Sequence, residues 1–582
     1  MICSKKTIVL SGVLAVVLVA VVLTVVLVFT GQRDFTNAES TGSATIVSDS
    51  LLGKYSKAAV STNGQECAQI GVDMLAKNGS AVDAAIAALI CEGIASLHST
   101  GLGGGFFMTI WDAETEAAYS LDARETAPGN ATENMYLENT TLSQYGGLAV
   151  AVPGELLGYW EAHQRFGKLT WSELFEPNIE LCYIGSYVTN YLASYLLNKK
   201  ENIKAEPTLA EILINPETNS SWQVGDRIKR PKLAKTLRLI AEQGPGIFYN
   251  GTMGDDLVAE IQAFGGIITK EDLQNYTVKW KTPVEATIGN LTMYTAPPPG
   301  SGVVLTFMMN VLQALIPTND ENVMWQRIIE TFKWAYARRT ELGDPDYVNI
   351  NSVVGNLTST AYAEEVRGSI RDDWTSSDPT YYGAVTDQIE DSGTAHISVL
   401  APDGSAVSVT ATINLVFGAM IRSNSTGIIF NDEMDDFSVP NTTNAFGLPS
   451  SPVNYIAPGK RPLSSMSPTI VLDENKKAKL IIGAAGGSKI TTAIATAMIF
   501  NLWLGYDVKE SIDARRIHHQ LFPMNIQNEN EFSRSILEAL HEIGHDIKKY
   551  SGIGSAITGV AVKDGIVTAN SDFRREGRTA GF

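Results

Sequence analysis

Thr394 begins the stretch Gly393-Thr394-Ala395-His396-Ile397-Ser398-Val399, whose residue types can support nucleophilic chemistry. The turn Pro402-Asp403-Gly404 follows, and then the run from Ala406 through Thr412 to Asn414. Both flanks alternate or carry β-branched residues, and Asp-Gly is a strong hairpin signal. A hairpin centred on residue 403 sets Thr394 opposite Thr412, with Asn414 just beyond, so two hydroxyls and an amide converge at one strand end. A threonine hydroxyl is a weak nucleophile until a base takes its proton, and an α-amine with a reference pKa of about 7.7–8 is such a base. A break between Gly393 and Thr394 would unmask nucleophile and base in one residue. Without it, Thr394 is an ordinary strand threonine.

Other groups with binding chemistry lie on either side. Glu433 and Asp436 are three apart in Asn431-Asp432-Glu433-Met434-Asp435-Asp436, which alone reads as a solvated acidic loop. Arg124-Glu125 alone reads as a structural ion pair. Gly486-Gly487-Ser488 precedes a helix starting near Lys489, where backbone N–H groups can face a developing oxyanion.

These fragments are collinear with others: Gly101-Leu102-Gly103-Gly104-Gly105, Ala123-Arg124-Glu125, Leu342-Gly343-Asp344-Pro345, Pro462-Leu463-Ser464-Ser465-Met466 and Gly483-Ala484-Ala485-Gly486-Gly487. In this order they resemble the gamma-glutamyltransferase family from about residue 55 to Phe582. The resemblance implies an α/β fold: an N-terminal-nucleophile hydrolase αββα sandwich formed by two chains from one self-cleaved precursor. It implies cleavage between Gly393 and Thr394, Thr394 as nucleophile, Thr412 orienting its hydroxyl, and Gly486 and Gly487 as the oxyanion hole. It also implies that Asn414, Glu433 and Asp436 bind a substrate ammonium while Arg124, Ser464 and Ser465 bind its carboxylate. A γ-glutamyl group ends in a free α-amino acid, so both sets are chemically required.

The elements that must position these groups are partly legible. Gly104–Ile110 reads as a strand, and Leu233–Gln243 and Trp325–Thr340 read as helices, the first entered through Pro231. Val348–Gly393 is rich in Asp, Ser and Thr and reads as an irregular, exposed run leading to the scissile bond. Strands dominate from Thr394 until a helix over Ile490–Leu504.

With 582 residues, 44% of them apolar, the chain can bury a large core. A net charge of −19 argues against nucleic acid as a partner. Thr7–Thr30 is uncharged and dominated by Val and Leu, long enough to cross a bilayer. Lys5 and Lys6 precede it, so the positive-inside tendency predicts a signal anchor with a cytoplasmic N-terminus. The expected organisation is a tail over 1–6, an anchor over 7–30, a stalk over 31–54, a large chain over 55–393 and a small catalytic chain over 394–582. The body would be extracellular at the plasma membrane. Sequons at Asn78, Asn130, Asn139, Asn219, Asn250, Asn275, Asn290, Asn356, Asn424 and Asn441 suit that compartment as glycosylation sites.

Cys67 and Cys91 bracket an expected helical hairpin turning at Asn78-Gly79, with Ser80 capping the second helix, and a disulfide between them is predicted. Cys182 reads as a buried thiol. No cofactor or metal is expected. His541-Glu542-Ile543-Gly544-His545 matches a zinc pattern, but Gly544 falls where its helix should end. Gly101–Gly105 resembles a phosphate loop, but a strand follows where a helix is needed.

The expected function is transfer of γ-glutamyl groups from glutathione and other γ-glutamyl compounds to amino acids, dipeptides or water. The large and small chains would form a heterodimer. The alternative is a catalytically silent relative that serves as a cell-surface binding or adhesion protein.

Overall fold

Alternating side chains along Ala395–Leu400 send Ile397 and Val399 one way and His396 and Ser398 the other, and both directions lead into the interior. This follows from the architecture seen in a computed structural model, which describes residues 48–387, 393–443, 445, 447–550 and 552–582. The anchor segment 7–30 lies outside the described residues. Among those described, no helix is long and apolar enough to cross a membrane.

Two seven-stranded antiparallel sheets face each other. The first runs in the order Arg578–Gly581, Ala59–Thr62, Ala395–Leu400, Ala406–Thr412, Gly105–Asp112, Ala117–Ala123, Lys279–Lys281. The second runs Gly53–Tyr55, Ile566–Ser571, Ala556–Lys563, Ala478–Ala485, Thr469–Leu472, Leu291–Thr295, Val284–Ile288. Each sheet combines strands from before and after residue 393. Ile397, Val399, Val407 and Val409 pack under a helical layer that includes Ala81–Ala95 and Glu155–Phe166. On the far side, Leu480, Ile482 and Ala484 pack under Gly302–Leu312, Glu321–Arg339 and Lys489–Met498. The result is the four-layer αββα sandwich.

The space between the sheets is partly apolar, around Trp111, Leu400, Ile470 and Ile481. Nearer Thr394 it is stitched by hydroxyls. Ser398 Oγ donates to the Thr558 carbonyl at 3.2 Å, Ser408 Oγ to that of Ile482 at 3.0 Å, and Thr109 Oγ1 to that of Pro468 at 2.9 Å. Buried hydroxyls keep partners in this way, so the polar faces of the strands are tolerated inside.

The helical hairpin forms as its sequence dictates. Cys67–Ala76 ends before Asn78, whose φ is +64°, and Ser80 caps Ala81–Ala95 through a reciprocal capping box with Asp83. A disulfide joins Cys67 to Cys91 across a Cα separation of 5.3 Å. Cys182 is buried, and burial pushes its thiol up to about 12. The helices Pro231–Gln243 and Glu321–Arg339 occur, while the expected Ile490–Leu504 helix is Lys489–Met498 followed by a π-helical turn.

One expectation fails. Before Gly393 the chain is not irregular throughout but forms helices Asn351–Thr358 and Thr360–Ser369. Val353, Leu357, Ala363 and Val366 bury an apolar stripe that the surrounding Asp, Ser and Thr concealed. Gly393 and Thr394 are themselves buried, so the bond between them is not presented on an exposed run. All ten sequon asparagines are exposed.

Candidate active site

The hairpin register pairs Ala395 with Ala411, which continues to set Thr394 opposite Thr412. Thr394 has φ +78°, a left-handed conformation rare for a β-branched residue and worth about 1–3 kcal/mol of strain. Gly393 has φ +102°, and a Cβ there would lie 1.7 Å from the Asn414 carbonyl oxygen, so only glycine fits before Thr394. The Thr394 hydroxyl donates to the Gly393 carbonyl oxygen and accepts from the Gly486 N–H at 3.0 Å. The Thr394 carbonyl accepts from Arg575 Nη1 at 2.5 Å, and Arg575 Nη2 donates to Tyr191 Oη at 2.9 Å.

Gly486, with φ +130°, and Gly487, with φ +59°, turn the chain from strand Ala478–Ala485 into helix Lys489–Met498. A Cβ on Gly486 would stand 2.4 Å from the Gly554 carbonyl oxygen. The turn is braced from below, where Tyr336 donates to the Ser488 carbonyl and Ser488 Oγ donates to Gln520 Oε1 at 2.6 Å.

Thr412 Oγ1 accepts from the Asn414 N–H at 2.8 Å, and Asn414 Nδ2 donates to the Asp432 carbonyl at 3.1 Å. The nucleophile hairpin is thereby tied to the acidic turn Glu433–Asp436. Asn431 holds that turn, accepting from the Glu433 N–H at 2.9 Å and donating to the carbonyls of Gly103 and Ala151. Gly104 packs so close to the hairpin that a Cβ would lie 1.9 Å from the Thr412 carbonyl oxygen. The glycine run is a contact surface for the site, and a strand, Gly105–Asp112, follows it.

Arg124 lies just past the strand Ala117–Ala123 and is buried. One arm of its guanidinium donates to Glu433 and the other to Asp436, with Glu125 3.8 Å away. It also reaches the carbonyls of Pro462 at 3.4 Å and Leu463 at 3.3 Å, next to Ser464 and Ser465. Ser464 Oγ accepts from the Met466 N–H at 3.2 Å, and Ser465 Oγ accepts from Arg339 Nη2 at 2.8 Å. Burial drives Glu433 well above the usual carboxylate range although Arg124 opposes it, and burial lifts Glu125 to about 8. For Arg124 burial works against the charge, but Glu433 and Asp436 outweigh it and hold the guanidinium above its ordinary value. Arg124, expected to bind one charge of a substrate, thus contacts Glu433 and Asp436, expected to bind the opposite one.

Both histidine features near these elements are structural. The ring of His396 is buried, bonding Thr410 Oγ1 at 2.8 Å and Ser398 Oγ at 3.2 Å, and burial pushes it down to about 3. Gly544, with φ +120°, ends helix Arg534–Ile543, and His545 turns away to Gln326 Oε1 at 2.7 Å, so His541 and His545 do not converge. Arg575, Arg339 and Tyr336 carry no sequence signal of their own and reach the site through the fold.

A cleft of about 770 Å³ opens at Gly393 and Gly486. The αββα layers, with a threonine heading a central strand and facing a glycine N–H from the second sheet, have the fold of the N-terminal-nucleophile hydrolases. The fold is shared with a cephalosporin acylase from Bacillus halodurans at a TM-score of 0.79 and 23% identity, covering 91% of this chain and 97% of that one. The chain belongs to the gamma-glutamyltranspeptidase family, whose sequence profile matches residues 67–582. It is similar to Scoloptoxin SSD14 of Scolopendra dehaani, 44% identical over 92% of this chain and 94% of the relative. It is also similar to Glutathione hydrolase proenzyme 1 of Schizosaccharomyces pombe, 38% identical over 99% of this chain and 91% of the relative.

Proposed function

We propose that this protein is a self-processing γ-glutamyltransferase and glutathione hydrolase that works through an ester on Thr394. The observation that carries the reading is the joint contact of the Thr394 hydroxyl with the Gly393 carbonyl and the Gly486 N–H. In processing, Thr394 Oγ1 attacks the Gly393 carbonyl carbon, the C–N bond breaks, and the departing nitrogen becomes the Thr394 amine. Water then hydrolyses the ester, leaving a Gly393 carboxylate and a free N-terminal threonine. Cleavage also removes the torsion that holds Thr394 at positive φ, so strain favours the cut.

In turnover the freed amine takes the hydroxyl proton as Thr394 attacks the γ-carbonyl of a donor such as glutathione. The N–H groups of Gly486 and Gly487 receive the oxyanion, and the proton passes to the leaving amine. An amino acid, a dipeptide or water then resolves the acyl-enzyme. The α-ammonium of the donor takes Glu433, Asp436 and Asn414, and its α-carboxylate takes Arg124, Ser464 and Ser465. Each buried charge exchanges one partner for another, so a zwitterion enters without leaving a charge unpaired.

The long apolar run at 7–30 and ten exposed sequons support display outside the cell, anchored as a single-pass type II protein, with large and small chains paired. The test is N-terminal sequencing of the purified protein's bands together with a glutathione turnover assay. A small chain starting Thr394-Ala395-His396 and release of glutamate or a γ-glutamyl product are expected. A cut chain without turnover would favour the silent, binding reading, and an uncut, inactive chain would overturn the mechanism.

The turn at Gly486 gives a second test. Gly486→Ala drives a Cβ into the Gly554 carbonyl at a φ that alanine resists, displacing the N–H from the nucleophile. A fall in kcat/KM of about 10²-fold or more is expected from steady-state kinetics, the effect of losing one oxyanion donor.

A further inference from the structure

The cleft beside the nucleophile carries a charge opposite to that of the protein. The chain has a net charge of −19, yet Lys489, Lys548, Lys549 and Arg575 line this space, against a single carboxylate, Asp435, among its described lining residues. That carboxylate is turned to its own neighbours, accepting from Ser143 Oγ and from Gln144 Nε2 at 3.2 Å. Lys548 faces Asp546 at 3.5 Å, a pair exposed on both sides and so nearly worthless as neutralisation. Lys548 and Lys549 stand exposed on the strand Ile547–Lys549, which edges a small three-stranded sheet. Lys489 lies over the Tyr550 ring, 5.9 Å from its centre. Arg575 is only 5% exposed, and its buried Nε has no hydrogen-bond partner.

The groups assigned to the γ-glutamyl half do not line this space. Arg124, Glu433, Asp436, Ser464 and Ser465 are buried and do not line the cleft, which begins at Gly393 and Gly486, beside the nucleophile. The other half of a donor, its leaving amine, therefore occupies the cleft, and an incoming acceptor uses the same room. Cations along walls that restrict solvent focus their field on whatever enters.

We infer that this cleft selects γ-glutamyl donors whose leaving group carries more than one negative charge, and acidic amines as acceptors. The inference rests on the γ-glutamyl-transfer reading. Lys489, Lys548 and Lys549 meet the extra carboxylate, and Arg575 meets the one nearest the scissile bond.

The test compares kcat/KM for γ-glutamylglutamate and γ-glutamylglutamine, using the full-length, self-processed protein. The two donors differ by one charge at nearly constant shape. A preference of roughly tenfold for γ-glutamylglutamate is expected at low ionic strength, shrinking towards unity as salt shortens the screening length. The exposed double substitution Lys548→Glu with Lys549→Glu should invert the preference within the same variant. Equal rates for the two donors, or a ratio that neither salt nor charge reversal moves, would overturn the inference alone. A processed protein that turns over neither donor would overturn the transfer reading as well.

Discussion

Thr394→Ala leaves the chain uncut and abolishes γ-glutamyl turnover, with a loss of at least about 10⁴-fold in kcat. The size follows from the two roles gathered in one residue. Without the hydroxyl, nothing attacks the Gly393 carbonyl, so the amine that would serve as base stays locked in a peptide bond. Processing and catalysis therefore fail together. The nearest imidazole, His396, does not take over, since its ring nitrogens are held by the hydroxyls of Thr410, at 2.8 Å, and Ser398, at 3.2 Å. Thr394→Ser keeps the hydroxyl and should be cut and active, at a lower rate, because losing the methyl frees the rotamer that the β-branched residue fixes. A denaturing gel and donor turnover read both variants. A cooperative thermal melt within a few degrees of the parent would confirm that Thr394→Ala is folded. Turnover by folded, uncut Thr394→Ala would place the nucleophile elsewhere.

Arg124→Gln produces the second large effect, on stability and recognition at once. The guanidinium is the counter-charge to Glu433 and Asp436, and Glu125 lies beside it, all with little or no exposure. Removing one partner of a buried ion pair costs about 3–5 kcal/mol, because the remaining charge has neither water nor cation. Proton uptake by Glu433 relieves part of this, in the direction burial already pushes it. The variant should melt several degrees lower and lose at least about 10²-fold in kcat/KM, since the donor's carboxylate no longer finds a bidentate partner. Arg124→Lys restores the charge but not the fork, and should recover stability better than recognition. In the parent, donors with an acetylated α-amine or an amidated α-carboxylate should be disfavoured by similar factors, as each would strand one side of the pair. Normal kinetics for such donors would show that the cluster is structural only.

The hairpin was the most legible part of the site. Asp403-Gly404 fixes the register, and the register alone sets Thr394 opposite Thr412. The two-residue period of the strands also showed in the sequence, but not where the polar face would go. His396, Ser398, Ser408 and Thr410 alternate with apolar residues as they would on a half-solvated sheet, and only a second sheet overhead, rich in accepting carbonyls, makes them interior. The segment before Gly393 reads as irregular in sequence because two short helices carry their apolar stripe within polar residues. Arg575 was beyond reach for another reason. It meets the Thr394 carbonyl across 181 residues, and neither end of that contact has a local pattern. The ion pairs of Arg124 with Glu433 and Asp436 have no sequence signal, because Arg124 lies 309 and 312 positions before them. Their mutual contact follows from burial, which does not allow either to wait unpaired.

The interleaving of strands on both sides of residue 393 would make the proposed cut a one-way event. In the first sheet, Ala395–Leu400 and Ala406–Thr412 lie between Ala59–Thr62 and Gly105–Asp112, so neither fragment has a sheet of its own. Opening the bond at Gly393 leaves the ladder intact, and the halves remain one body without a covalent tie. Separation requires unfolding, and reassembly from the separated pieces becomes a second-order encounter of chains that never had to find each other during synthesis. The lifetime of such a cut form would be set by a barrier, by how fast it comes apart, and not by a folding equilibrium.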